Sequence, residues 1–137
     1  MSHFTKVATK INSLTALMKT LELLKERLRI QGVTQGENVV VRGYKGQTIT
    51  AEMSINMGKY DIGVVKNEQG NYEFVADWWG VETTQGIEEE EFVEEVNKQY
   101  AYVRVMEACE EQGYQIAQED IHVEEDGTVK LVATKWG

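Results

Sequence analysis

Tyr60-Asp61-Ile62-Gly63-Val64-Val65-Lys66-Asn67-Glu68-Gln69-Gly70-Asn71-Tyr72-Glu73-Phe74-Val75-Ala76-Asp77 is the stretch that decides the fold. Two runs, Tyr60 to Lys66 and Tyr72 to Asp77, flank the polar turn Asn67 to Asn71, which is the pattern of a β-hairpin. Tyr60, Ile62 and Val64 alternate with Asp61, Gly63 and Val65. The first strand therefore has one strongly apolar face and one mixed face.

Upstream, His3 to Lys10 reads as a short first strand. Leu14, Leu17, Met18, Leu21, Leu24 and Leu28 then recur at three- and four-residue steps, which places them on one face of a helix. Asn12 or Ser13 is suited to cap its start, and Gly32 to follow its end. Val39 to Arg42 and Gln47 to Ile55 flank Gly43-Tyr44-Lys45-Gly46 as another hairpin.

Downstream, Trp78 to Gly86 reads as a loop and Ile87 to Gln112 as a second helix. Glu88, Glu89, Glu90 and Glu91 fall in its first turn, where the positive end of the helix dipole favours anions. Phe92, Val96, Tyr100 and Val103 mark its buried stripe, and Gly113 is the natural stop. Tyr114 to Val123 and Thr128 to Trp136 form a last hairpin across Asp126-Gly127, a dipeptide that tolerates positive φ.

The expected order is strand, helix, several strands, helix, strand, strand. Without the 38–56 hairpin it is β-α-β-β-α-β plus one strand. That predicts an α+β protein: an antiparallel sheet with two helices on one face, a ferredoxin-like (βαββαβ) core and an extra hairpin. A more curved sheet that includes the 38–56 hairpin is the alternative. With 137 residues and no internal repeat or linker, one domain over 1–137 is expected.

The formal net charge is −9, and it is concentrated. Residues 82–126 hold 15 acidic and 2 basic side chains, whereas residues 1–81 hold 8 and 10. Such a field repels phosphate backbones and argues against nucleic acid as a partner. It suits a protein with a basic surface, or serves solubility alone. Lys6, Lys10, Arg27, Arg29, Arg42 and Lys45 would form a positive patch opposite the acidic helix if the fold gathered them. Homo-oligomerisation through a bare sheet face or edge is a further option.

With the single Cys109, His3 and His122 there is no metal-ligand spacing, so no metal and no cofactor is expected. Cys109 is expected to be a small buried residue and His122 to point outward. No nucleophile motif or phosphate loop is present, and no catalytic residue is assigned. Met1 to Lys10 lacks an apolar signal core, and no stretch reaches membrane-spanning length. A cytoplasmic or stromal protein without membrane insertion is the expectation.

Asp77-Trp78-Trp79-Gly80 is the most distinctive local feature. In an extended chain, adjacent tryptophans point to opposite faces. One reading buries one ring and leaves the other as an anchor for a partner; the other has both cover the sheet edge or a helix end. Trp78, Trp79, Glu88, Glu89, Glu90, Glu91, Glu94 and Glu95 are thus the partner-binding candidates. Tyr60, Asp61, Asp77 and Tyr100 are the candidate polar liners of a pocket between sheet and helices.

Four blocks also carry a resemblance. They are Met1-Ser2-His3-Phe4-Thr5-Lys6-Val7; Tyr60-Asp61-Ile62-Gly63 with Tyr72-Glu73-Phe74-Val75-Ala76-Asp77; Asn97-Lys98-Gln99-Tyr100-Ala101-Tyr102 with Glu111-Gln112-Gly113-Tyr114; and Glu125-Asp126-Gly127-Thr128-Val129-Lys130-Leu131 with Trp136. In that order they resemble the thirty-fifth hypothetical chloroplast reading-frame (Ycf) family of cyanobacteria and algal plastids. The resemblance implies a cyanobacterial cytosolic or plastid stromal setting. It implies no catalytic residue, because the family has none assigned. A non-enzymatic binding or adaptor protein is the expected function, with a small-ligand-binding domain or enzyme as the alternative.

Overall fold

A computed structural model describes residues 3–115, 121–124, 129–131 and 134–135. The chain opens with strand β1, Thr5–Ala8, and helix α1, Leu14–Leu23. The Ser13 hydroxyl caps α1 by accepting the Ala16 N–H at 3.2 Å, satisfying one of the helix's free donors. Regular α-helix stops earlier than the leucine spacing predicts. Leu24 and Leu28 still reach the core at 5% and 0% exposure, but from a run of turns.

The chain reverses at Arg29 (φ 56°), before Gly32. The left-handed backbone there is held by a reciprocal clamp. Arg29 Nη1 donates to the Gln85 carbonyl at 2.8 Å, and Gln85 Nε2 donates to the Arg29 carbonyl at 2.9 Å. Gly32 instead begins strand β2, Gly32–Arg42, which pairs with β3, Thr48–Asn56, around a single 3-10 turn at Tyr44–Gly46. The hairpin is longer than expected because polar Thr34 and Gln35 pair with Ser54 and Met53. Its register shifts between Gln35 and Val39, a bulge that contains Asn38 at φ 53°. Bulges bend and twist the strand that carries them.

β4, Asp61–Lys66, and β5, Tyr72–Ala76, are the expected central hairpin. The segment expected as a loop is a helix, α2, Trp78–Gln85. The Asp77 carboxylate caps it by accepting the Gly80 N–H at 3.1 Å. Gly86, at φ 74°, ends it with an N–H bond to the Glu82 carbonyl, the usual left-handed exit. α3 runs Glu89–Glu111 and buries Phe92, Val96, Tyr100 and Val103, the stripe read from the spacing.

The five-stranded sheet has the order β1-β5-β4-β3-β2, and every pairing is antiparallel. The short strands β6 (Tyr114–Gln115), β7 (Ile121–Val123), β8 (Val129–Leu131) and β9 (Thr134–Lys135) pair β6 with β9 and β7 with β8. Among the described residues none of them flanks β1, so the expected fourth neighbour of β1 is not found there. The Asp126-Gly127 turn and Trp136 lie outside the described residues.

One apolar cluster joins Ala16, Leu17 and Leu21 of α1 and Phe92 and Val96 of α3 to Ile62, Val64, Phe74 and Ala76 of the sheet. The helices thus cover one face. On the other face lies a smaller contact made by the bent hairpin. β2 is not a neighbour of β4 in the sheet, yet a Cβ on Gly63 would lie 2.8 Å from Val41 and 3.0 Å from Val75. Val41 and Val75 are 0% and 3% exposed. The far end of β2 therefore folds back over β4. Glycine at 63 leaves room for it.

Candidate functional site

The antiparallel meander carries the start of β4 and the end of β5 to the same end of the sheet, because Ile62 faces Ala76 in register. Tyr60, Asp61 and Asp77, three of the four expected pocket liners, meet there. Tyr100 lies elsewhere. Its hydroxyl accepts the Asn12 and Ser13 backbone N–H groups at 3.2 Å each and donates to Asn12 Oδ1 at 3.3 Å, tying α3 to the start of α1.

Asp61 is 4% exposed and fully engaged by Arg42. Arg42 Nε and Nη2 donate to its two oxygens at 2.8 and 2.7 Å, and the Arg42 backbone N–H adds a third bond at 2.8 Å. Nη2 also donates to the Gly58 carbonyl at 2.7 Å. The hydrogen bond to Asp61 raises the Arg42 pKa above its ordinary value. A bidentate pair of this kind fixes geometry as well as charge. Here it pins the returning β2 strand onto β4.

Asp77 is 1% exposed. One oxygen caps α2, and Oδ2 has no partner among the described residues. Tyr60 packs flat against α2: a Cβ on Gly80 would overlap its ring. Burial, then the charge of Asp77, then Tyr44, raise the Tyr60 pKa.

Trp78 and Trp79 are residues of a helix, so they diverge by about 100° rather than alternating across a strand. Trp78 is 7% exposed, packs on Phe92 at 5.9 Å and donates its indole N–H to the Thr5 carbonyl at 3.3 Å. Trp79 is 51% exposed. It meets Tyr44 edge to face at 6.2 Å and 86°, and Lys45 Nζ stands 5.4 Å from the Tyr44 ring centre. Tyr44, in the β2–β3 turn, was missed from the sequence; Gly43 and Gly46 marked the turn but nothing local tied it to Trp79.

Glu88, Glu89, Glu90, Glu91 and Glu94 are exposed at the start of α3. Glu95 bonds Arg27 at 3.1 Å. This corrects the positive patch: Arg27 sits against the acidic helix, Arg42 is held by Asp61, and Arg29 is held by Gln85. Cys109 is half-buried rather than buried, and His122 is exposed. Among the described residues no three His, Cys, Asp or Glu side chains converge as metal ligands.

The fold and this surface define a small α+β protein that presents a braced aromatic pair and an acidic helix start. The chain belongs to the DUF1257 family, described as a protein of unknown function, whose pattern matches residues 26–132. It is similar to uncharacterized protein ycf35 of Guillardia theta, 31% identical over 99% of this chain and 98% of that protein. The protein of the same description from Cyanophora paradoxa is 30% identical, and that from Pyropia yezoensis 28%, each over 99% of this chain and 98% of its own length. These matches agree with the four sequence blocks. No solved structure matches the chain.

Proposed function

We propose that this chain is a non-enzymatic protein-binding module, an adaptor that docks a partner with a basic surface. One observation carries the reading: Trp79 is half exposed yet braced. Tyr44 packs against it at a right angle, and α2 beneath it is capped at both ends. A large side chain fixed before binding has little rotamer freedom left to lose, which is what makes tryptophan an effective anchor. The glutamates at 88–91 and 94 would steer a basic surface toward it.

The architecture behind this surface we read as a ferredoxin-like core extended by the β2–β3 hairpin, which the neighbours β1-β5-β4 support. The ycf35 relatives support a plastid setting. Among the described residues no helix is long and apolar enough to cross a membrane, which fits a cytoplasmic or stromal location.

The test is a pull-down from cyanobacterial lysate at low and high salt. Its baits are the wild-type chain, Trp79→Ala and the glutamates at 88–91 changed to glutamine. A partner captured by wild type, lost at high salt and depleted by both variants supports the reading. Loss of a central tryptophan anchor costs about 2 kcal/mol or more, roughly thirtyfold in affinity. A partner retained equally by all three baits, or indifferent to salt, refutes it.

A further inference from the structure

Along the outer side of β1, between its end, the middle of α3 and β8, lies a cleft of about 710 Å³. That is within the size range of small-molecule sites. Its floor is apolar: Ile11, Ala101, Val105 and Val129 line it, with the ring of Tyr100 as one wall. Its charged lining residues are Lys10 and Arg104, and none of its described lining residues is acidic. Arg104 is one of two cations in the 82–126 segment of a chain of net charge −9. Neither cation is in an ion pair among the described residues. A smaller cleft of about 280 Å³ between α1 and α3 is lined by both signs of charge, Lys19 with Glu107 and Glu110.

Two further features favour an anion. The Tyr100 hydroxyl rests on the backbone N–H groups of Asn12 and Ser13, so the positive end of the α1 dipole adjoins the cleft wall. Arg104 also has a planar, multiply donating head suited to carboxylate or phosphate oxygens.

We infer that this cleft binds a small amphipathic anion. An apolar body lies over Ile11, Ala101 and Val105, and a carboxylate or phosphate head sits between Lys10 and Arg104. The inference is independent of the adaptor reading, because Trp79 and the α3 start take no part in it.

The experiment is an amide NMR titration of the isotope-labelled full chain with decanoate, kept below its micelle-forming concentration. Decyl phosphate is a second head group and decylamine the charge control. Saturable shifts are expected at residues 9–11, 97–105 and 129, with decanoate and decyl phosphate but not decylamine. Arg104→Gln changes an exposed side chain and leaves the core intact. It should weaken decanoate binding about tenfold, the loss of one charge-assisted hydrogen bond. Ala101→Trp should abolish binding by filling the floor, and Trp79→Ala should leave it unchanged. The proposal is overturned by no saturable shift with either anion, by equal binding of decylamine, or by decanoate affinity unaltered by Arg104→Gln. If binding resembles a general apolar effect, with shifts scattered beyond the cleft, the site is likewise refuted.

Discussion

Replacing Gly80 by alanine tests how α2 is seated on the sheet. In an open helix the change is favourable, by up to about 1 kcal/mol, because alanine has the higher helix propensity. Here the new Cβ overlaps the Tyr60 ring. That ring is partly buried beneath α2, beside buried Asp77, so it must turn aside or the helix must lift. Overpacking of this kind costs about 1–3 kcal/mol. After the propensity gain, a net loss of up to about 2 kcal/mol remains. For a chain of this size each kcal/mol lowers the melting temperature by roughly 3–5 °C.

The assay is thermal and urea unfolding of wild type, Gly80→Ala, Tyr60→Ala and the double variant. In the Tyr60→Ala background the same Gly80→Ala change should become neutral or stabilising, leaving a coupling energy of about 2 kcal/mol between the positions. Gly80→Ala that stabilises the wild type, or a coupling near zero, refutes the packing argument. The same helix carries Trp79, so the single variant should also alter tryptophan fluorescence.

Asp61→Ala strands Arg42 and releases the returning β2 strand. The expected loss is about 2–3 kcal/mol, below the range for fully buried pairs because the Arg42 side chain is 45% exposed; urea unfolding that shows under 0.5 kcal/mol would contradict the clamp. Tyr100→Phe removes the acceptor of two backbone N–H groups before α1. It should cost about 1–2 kcal/mol and raise hydrogen exchange at Asn12 and Ser13. Burial raises the pKa of Tyr60 and Tyr72 above 10.0. A raised folded value means that their contribution to stability is complete below about pH 10 and is lost as pH rises through the folded values. Tyrosinate absorbance should therefore rise in two stages, the later one with unfolding; a single stage at the ordinary value would contradict it.

Helix α3 and the β4–β5 hairpin were legible because their signals are local. Phe92, Val96, Tyr100 and Val103 recur at helical spacing, and Asn67 to Asn71 is a turn in composition as well as in structure. α2 was missed because Trp, Thr and Gly over eight residues are weak helix formers. Its caps, Asp77 and Gly86, were readable on either side. The end of α1 was misplaced because Leu24 and Leu28 keep the leucine spacing through the turns that follow the helix; the chain then reverses at Arg29, held in a left-handed backbone by Gln85 fifty-six residues away. Of the expected pocket liners, Tyr60, Asp61 and Asp77 came together through sheet register, and Tyr100 went to the other end of α1.

The sequence by itself determined α3, the buried face of α1 and the β4–β5 hairpin, the family of the chain, and the concentration of acid at the start of α3. Each depends on residue order over a few turns or on charge that no folding step can move along the chain. Tertiary structure alone decided the sheet order, the return of β2 over Gly63, the pairing of Arg42 with Asp61, the exposure of Trp79 rather than Trp78, and the basic cleft beside β1. These rest on a bulge, a register and a helix direction, which bring distant residues together and have no counterpart in local spacing.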